Sequence, residues 1–360
     1  MDVIQNMMEY SHQSTHFFYH KSSGLKTIIS IHDTTMGPAL GGCRFFNYKS
    51  ESHALEDALR LSRGMTYKSA VAGVPLGGGK SVIIGDHTHL RSRELFRAFG
   101  TFVNSLGGRY ITSVDVNTTV QDLKWMHETT RYVTWPNESY GGSGDPSYMT
   151  AYGVYCGLKS ALRHQLAKDS FAGVRIGVQG VGSVGELLCE HLHRDGAILT
   201  IADTHKARLA VVAKKFGAKT VAPNDIYKAD VDIFVPCAMG GVLSDDTIPH
   251  IKAKIIGGAA NNQLLEDRHG ALLRDLGILY CPDYVINAGG IINVYYALRD
   301  STDGFNAKHV EKARKHTAEI EGTLDHIFTV SSRDGVLPHE AASLIAREKL
   351  EQARKSQSQS

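Results

Sequence analysis

The chain has few cysteines, and they are poorly placed for cross-linking. Cys43, Cys156, Cys189, Cys237 and Cys281 are odd in number, far apart and free of any Cys-x-x-Cys pair. This excludes a disulfide framework and a thiolate zinc site, and it points to free thiols in a reducing cytoplasm. Net charge is nearly absent at +2, so there is no basic field for nucleic acid and no acidic tail. No apolar run reaches transmembrane length. The opening Met-Asp-Val-Ile-Gln-Asn lacks the charged and apolar regions of a signal peptide. No internal repeat is present. The 18 histidines are scattered. The one close pair, His191 and His193, falls two residues apart in a helical stretch, where side chains diverge, so no metal site is expected. What remains is 42% apolar and 21% charged, a soluble globular composition, over 360 residues that suit two domains.

The most informative stretch is Gly64-Met-Thr-Tyr-Lys68 through Gly77-Gly78-Gly79-Lys80. Two lysines flank an apolar linker ending in three glycines, which would let a backbone approach a ligand closely. Lys80 leads into Ser81–Ile84, which reads as a buried strand. Burial and a like charge both disfavour an ammonium, so Lys80 is a candidate general base. Gly79-Lys80-Ser81 matches the end of a Walker A loop, but Val74 stands where its first glycine belongs.

Before this stretch, Thr15–His20 and Leu25–His32 read as strands split by a turn at 22–24. A glycine-rich loop over 37–42 precedes a strand at Cys43–Phe46, and a helix begins at Glu51 with Ser52 as a cap. After it come a helix over Arg91–Leu106, a strand over Arg109–Ser113 that stops at Asp115, and a helix from Val120 capped by Thr118 or Thr119. Lys68, Lys80 and Asp115 thus each sit at the end of a regular element, where open α/β sheets bind ligands. Residues 134–147, rich in glycine with two prolines, read as a linker and hinge.

Beyond the linker, a helix over Tyr148–Gln165 precedes a strand, Arg175–Gln179, that meets Gly180-Val181-Gly182-Ser183-Val184-Gly185. A helix to Arg194 and a strand over Ile198–Ala202 follow, ending on Asp203, 23 residues after Gly180. This is a complete dinucleotide fingerprint. Gly180 permits the tight turn, Gly182 admits the pyrophosphate, Gly185 permits close packing, and the helix N-terminus faces the phosphates. Asp203 can accept from ribose hydroxyls and would repel a 2′-phosphate, which favours NAD over NADP; Lys206 and Arg208 weaken that preference. Strands at Val231–Val235, Lys254–Gly257 and Gly277–Cys281 extend a parallel sheet. Their trailing loops, including Cys237-Ala238 and Ala260–Gln263, suit a nicotinamide pocket. A helix opens near Asn287-Ala288-Gly289-Gly290. The chain is helical in period from Lys308 to Lys355, with a break near Asp334-Gly335.

The expected fold is α/β with two domains separated by a cleft. An N-terminal α/β catalytic and oligomerisation domain spans 1–140 and is completed by a C-terminal helix over 325–355. A doubly wound Rossmann domain spans 145–325, and residues 356–360 form a disordered tail.

Gly41-Gly42-x-Arg44, Gly64–Lys68, Gly77–Lys80, Asp115-Val116, Gly180–Gly185, Ala260–Gln263 and Asn287–Gly290 together resemble the glutamate/leucine/phenylalanine/valine dehydrogenase family, its leucine dehydrogenase branch above all. The resemblance covers about residues 10–350. It implies NAD-dependent reversible deamination of an L-amino acid to a 2-oxo acid and ammonia, by a cytoplasmic homo-oligomer without nucleic-acid or membrane partners. It implies that Lys68 holds the substrate carboxylate, Lys80 is the base, Asp115 exchanges protons with the amino group, Gly41 and Asn262 seat the substrate, and Thr150 touches the nicotinamide amide.

The glutamate-specific members carry lysine and serine where this chain has Leu40 and Val294. A buried distal carboxylate here would be unpaired, at a cost of several kcal/mol. The substrate side chain is thus expected against Leu40, Met65, Ser113, Ile291 and Val294. Ile291 resembles the aliphatic-preferring members, while Ser113 matches neither the aliphatic nor the aromatic pattern. Leucine, valine or isoleucine come first, phenylalanine or tryptophan second. A non-catalytic dinucleotide sensor would not need Lys68, Lys80 and Asp115 together. A hydroxy-acid dehydrogenase would be expected to use a histidine base, and none sits at a matched strand end.

Overall fold

A computed structural model describes residues 3–134, 145–299 and 307–358. The linker expected over 134–147 lies, for 135–144, outside the described residues. The chain divides into two compact units. The first draws on Met1–Gly144, Ala297–Phe305 and Ala346–Ser360; the second on Asp145–Tyr296 and Asn306–Ile345.

In the first unit the order is α1 (Val3–Tyr10), β1 (Ser14–His20), β2 (Leu25–Asp33), β3 (Ala39–Phe46), α2 (Glu51–Ala72), β4 (Gly77–Ile84), α3 (His87–Leu90), α4 (Arg93–Ser105), β5 (Tyr110–Val114) and α5 (Val120–His127). The sheet runs β1-β2-β4-β3-β5, antiparallel through β4 and parallel from β4 to β5. One face carries Cys43, Phe45, Ile83 and Tyr110, buried with Phe96, Phe99 and Met126 of the helices. The other carries Ile28 and Val82, packed on Ala54, Leu55, Ala58 and Leu59 of α2.

The structure revises the reading of the glycines. Gly41 and Gly42 lie within β3, opposite Thr112 and Ser113, because β3 is clasped between two parallel neighbours. The three glycines before Lys80 are not a ligand loop either; they open β4. What approaches their bare backbone is the protein itself. A Cβ at Gly78 would stand 2.2 Å from the Thr66 backbone nitrogen and 2.4 Å from the Ser62 oxygen, and one at Gly79 would stand 2.6 Å from the Tyr110 ring. Glycine here lets α2 lie directly on the strand.

Helix α2 is fixed at both ends. The Ser50 hydroxyl accepts from the His53 amide, and Gly73 closes the helix in the left-handed region. Two histidines peg its middle: His12 Nε2 lies 2.7 Å from Ser62 Oγ and His32 Nδ1 lies 2.8 Å from Thr66 Oγ1.

The second unit contains α6 (Ser147–Leu166), β6 (Arg175–Gln179), α7 (Ser183–Arg194), β7 (Ile198–Ala202), α8 (Lys206–Phe216), β8 (Lys219–Thr220), β9 (Ile233–Pro236), β10 (Ile255–Ile256), α9 (His269–Asp275), β11 (Leu279–Tyr280), α10 (Asp283–Ile286), α11 (Gly289–Arg299), α12 (Ala307–Ala318) and α13 (Ile320–Asp334). Its parallel sheet runs β11-β10-β9-β6-β7-β8. That is the doubly wound order, reversing between β6 and β9. The buried strands β6, β7 and β9 match the apolar runs read from the sequence, with boundaries shifted by two residues at most.

A last helix, α14 (Pro338–Gln357), begins in the second unit; from Ala346 it clusters with the first. There Arg354 pairs with Asp33 and Gln357 Nε2 donates to the Thr35 carbonyl at 2.8 Å. The tail expected over 356–360 is therefore helix through Gln357, because side-chain anchors hold the final turn. Residues 359–360 lie outside the described residues. Helix α1 carried no signal that the sequence reading used.

Two expectations follow. Gly78→Ala should lower stability by about 3 kcal/mol, because backbone atoms cannot yield to the new Cβ. Gly64→Ala, in α2 with nothing within 4 Å, should raise it by about 0.5–1 kcal/mol. Calorimetric melting of the two variants distinguishes these effects, and equal shifts would refute the packing account. The buried histidines add an acid sensitivity. Desolvation lowers His12 to about 3 and His32 to about 4. Between their ordinary value near 6.5 and those values the unfolded chain binds more protons. Unfolding free energy should therefore fall as pH drops through this window, and the fall should be shallower in His12→Gln.

Candidate active site

Strand alternation decides which side chains can meet. Gly78, Lys80 and Val82 face α2, and so do their lateral partners Leu40, Gly42 and Arg44 on β3 and Ser113 on β5. Helix α2 brings Met65 and Lys68, one turn apart and both half-buried. This face collects the first-unit residues singled out in the sequence: Leu40, Met65, Lys68, Lys80, Ser113 and, at the end of β5, Asp115. Leu40 is 3% exposed and Lys80 6%. Gly41 is buried within β3. Its carbonyl accepts from the Tyr110 hydroxyl at 2.7 Å, and a Cβ there would strike the Gly79 oxygen.

Lys80 Nζ pairs with Asp115 Oδ2. Desolvation is the first cause that pushes Lys80 down, to about 7, and the nearby Arg44 cation is the second. Lys68 adds a smaller push in the same direction, and the Asp57 carboxylate opposes it.

Asp115 is held by its own loop. Its amide donates to Thr118 Oγ1 at 2.7 Å, and that hydroxyl donates to the Cys43 carbonyl at 2.8 Å, tying the loop to β3. The Val116 amide donates to Asp115 Oδ1 at 2.5 Å. Gly42 clears the space: a Cβ there would lie 2.8 Å from Asp115 Cβ. The Ser113 hydroxyl accepts from Thr134 at 2.8 Å, so a second hydroxyl, absent from the sequence reading, orients it.

In the second unit the fingerprint glycines separate by role. Gly180 has φ +90° and sits against Ala238. A Cβ at Gly185 would lie 2.0 Å from the Gly180 oxygen. Gly182 has open space around it and caps α7 without a side-chain hydrogen bond, leaving the amides of Ser183 and Val184 at a helix N-terminus. Val181 is buried, and its amide donates to Asp203 Oδ2 at 2.9 Å. Asp203 Oδ1 accepts from the His205 amide at 2.7 Å and from Arg208 at 3.2 Å. These bonds outweigh partial burial and hold the carboxyl below its ordinary value. The Cys237 amide returns to the Gln179 carbonyl, and burial pushes its thiol up to about 12, so it is no thiolate.

The loop after β10 closes on the start of α11. Asn287 Nδ2 donates to Asn261 Oδ1 at 2.7 Å and to the Ala259 carbonyl at 3.1 Å. Buried Gln263 bonds the Gly258 and Ala260 carbonyls. This supports Asn262, exposed and in the left-handed region at φ +51°. Thr150 lies beside Gly290, where a Cβ would stand 2.8 Å from its hydroxyl. Ile291 and Val294 are one turn apart on α11. The open space at Gly182, the free amides of α7 and the carboxylate of Asp203 fit a dinucleotide. Among the described residues no group of three or more His, Cys, Asp or Glu is placed to hold a metal ion.

Sequence profiles extend this geometry. The profile of the Glu/Leu/Phe/Val dehydrogenase dimerisation domain matches residues 12–132, and that of the Glutamate/Leucine/Phenylalanine/Valine dehydrogenases matches 141–209 and 197–358. The chain belongs to the glutamate/leucine/phenylalanine/valine dehydrogenase family. Dehydrogenases of this family are generally NAD(P)-dependent. The chain is 50% identical over 359 residues to the leucine dehydrogenase of Bacillus subtilis, covering 100% of this chain and 97% of that one. It is 44% identical over 359 residues to the L-tryptophan dehydrogenase of Nostoc punctiforme, with 99% of each covered. The crystal structure of L-tryptophan dehydrogenase from that organism superposes with a TM-score of 0.85 at 42% identity, over 98% of this chain and 99% of that one. A hetero-hexameric glutamate dehydrogenase from Thermus thermophilus shares the fold, with a TM-score of 0.79 at 22% identity over 96% and 91% of the chains.

Sequence reasoning passed over Asp57, Tyr48 and Thr134. Asp57 lies on α2, which is read by its apolar spacing, and nothing in that pattern marks it as facing Arg44. A titration tests the local electrostatics. The Nζ resonance of Lys80, followed by nitrogen NMR, should move with a midpoint near 7; a midpoint near 10.5, the ordinary lysine value, would contradict the burial argument.

Proposed function

We propose that the chain catalyses NAD-dependent, reversible oxidative deamination of branched-chain L-amino acids to 2-oxo acids and ammonia. The observation that carries this reading is the buried Lys80 paired with Asp115 on a face that also presents Lys68 and the apolar Leu40. The half-identity to a leucine dehydrogenase along the whole chain supports the choice of substrate.

Lys68 holds the substrate carboxylate as a fixed cation. Asp115 accepts a proton from the substrate ammonium, so that the amine can give up its Cα hydride. A nicotinamide held by the second unit would supply the hydride acceptor. Lys80, in its unprotonated form, takes a proton from the water that attacks the resulting imine carbon. Asp115 returns its proton to the amino nitrogen, and as the C–N bond breaks the carbinolamine hydroxyl gives its proton to the freed Asp115 carboxylate, leaving the 2-oxo acid and ammonia. Leu40, Met65, Ser113, Ile291 and Val294 contact the substrate side chain. Gly41 and Asn262 seat the amino acid, and Thr150 contacts the nicotinamide amide. Gly180–Gly185, Asp203, Cys237, Ala238 and Asn262 hold the cofactor. Asp203 accepts from the ribose hydroxyls and disfavours a 2′-phosphate, although Arg208 partly neutralises it. We also propose that the enzyme is a homo-oligomer, a reading supported by the match of residues 12–132 to a dimerisation-domain profile. Among the described residues no helix is long and apolar enough to cross a membrane.

The deciding experiment is reduction of NAD across the L-amino acids, with ammonia-dependent reversal. Leucine, valine and isoleucine should give the highest kcat/KM, with phenylalanine and tryptophan below and glutamate last. A preference for phenylalanine over leucine would reverse the substrate order. Lys80→Ala should lose about 10²–10⁴-fold in kcat while still binding NADH. Since the base must be unprotonated, wild-type kcat/KM for deamination should rise through pH 7 and level above it. A profile flat across that range would remove Lys80 from the role.

A further inference from the structure

Asp115 offers only one oxygen to Lys80. Its other oxygen, Oδ1, accepts from the Val116 amide at 2.5 Å and also faces Arg44, whose Nη2 lies 3.7 Å away. Arg44 is itself anchored from behind, with Nη1 2.8 Å from Asp57 Oδ2 on α2. The same Asp57 oxygen accepts from the Tyr48 hydroxyl at 2.7 Å. A cavity of about 600 Å³, lined by Arg44, Tyr48, His53, Glu56, Asp57 and Arg60, opens beside this chain of contacts. The ion pair with Asp57 anchors the guanidinium on this open side. Its Nε is buried without a hydrogen-bond partner, which leaves the Asp57 and Asp115 contacts to set its place.

We propose that Arg44, clamped by Asp57 and Tyr48, is a positioning residue that aims Asp115 at Lys80 and keeps a fixed cation beside the base. The proposal rests on the assignment of Lys80 as the base.

The electrostatics agree in direction. The groups acting on Lys80 are Arg44 from β3, Asp57 and Lys68 from α2, Asp115 from the loop after β5, and Cys43 on the opposite face of β3; β2 places neutral Ser30 opposite it. Among the charges that lower Lys80, Arg44 comes first, ahead of Lys68. Removing Arg44 takes away a repelling cation and leaves Asp57 and Asp115 uncompensated. Both changes favour the Lys80 ammonium and move its titration toward higher pH.

The test compares Arg44→Met, Arg44→Lys and Tyr48→Phe in kcat, KM for leucine and the pH profile of deamination. Arg44→Met should lower kcat about 10- to 100-fold, as expected when a reacting group is misaimed, with little change in KM. Its ascending pH limb should move upward by about one unit or more. Arg44→Lys restores the charge but cannot bridge two carboxylates, so it should return the limb toward wild type and recover little kcat. Tyr48→Phe, which keeps every charge, should cost several-fold in kcat with KM unmoved. A folded Arg44→Met enzyme with kcat within about twofold and an unmoved limb would overturn the proposal, as would a rise in KM at unchanged kcat. If Arg44→Met does not fold, wild-type kcat in both other variants overturns it. An active Lys80→Ala enzyme would remove the assigned base as well; an inactive one beside a normal Arg44→Met would remove the Arg44 role alone.

Discussion

The first unit depends on the direct contact of a helix with a strand backbone. Helix α2 lies so close to β4 that only glycine fits at position 78. Alternation then turns the side chain two residues on, at Lys80, toward the same helix and buries it. A lysine placed there loses its hydration, and desolvation is the largest force acting on its proton affinity. The same helix carries Met65, Lys68 and Asp57, so one packing distance sets the depth of the candidate base and the height of the groups around it. The histidine pegs at Ser62 and Thr66 hold α2 at that distance, and burial disfavours a charge on either ring, which ties the integrity of the site to acid stability.

The second unit solves a different problem with the same residue type. At Gly180 and Gly185 the glycines allow protein to touch protein, while at Gly182 glycine leaves room for something else. The cradle is also braced from its far side. Asp203 bonds the amide of Val181, so the carboxylate at the end of β7 steadies the turn after β6. A substitution at Asp203 would disturb the Gly180–Gly185 turn as well as the proposed ribose contact, and effects there cannot be divided by counting ligand contacts alone.

Much of this was legible in the sequence where chemistry and position coincide. The Gly180–Asp203 unit combines an apolar strand, spaced glycines and an acid at the next strand end, and the structure keeps β6 and β7 to the residue and ends α7 at Arg194. Lys68, Lys80 and Asp115 could be singled out because charged groups stood at the ends of apolar elements. The glycines before Lys80 were misread, since closeness of a helix and closeness of a ligand both demand a missing side chain and composition does not distinguish them. The final helical turn was hidden because its anchors, Arg354 and Gln357, find partners more than 320 residues away in sequence. Asp57 and Tyr48 were hidden for a similar reason: their effect passes through Arg44, and a single chain offers no pattern for contacts of that kind.

The charges around the candidate base also bear on which substrate can be accepted. With Lys80 in the unprotonated form that a base requires, the proposed site sets the Lys68 cation and the Asp115 carboxylate against an amino-acid zwitterion, while Arg44 is balanced by Asp57. Every charge at the reacting end then has a counterpart, and none is left over for the side chain. A glutamate would bring an additional anion to Leu40, which is 3% exposed and offers no donor. An aliphatic side chain brings none. The polar exception, Ser113, accepts from Thr134, which fixes its hydroxyl in place. Exclusion of charged side chains thus follows from how the site settles its own charges, and it does not depend on the exact volume of the pocket.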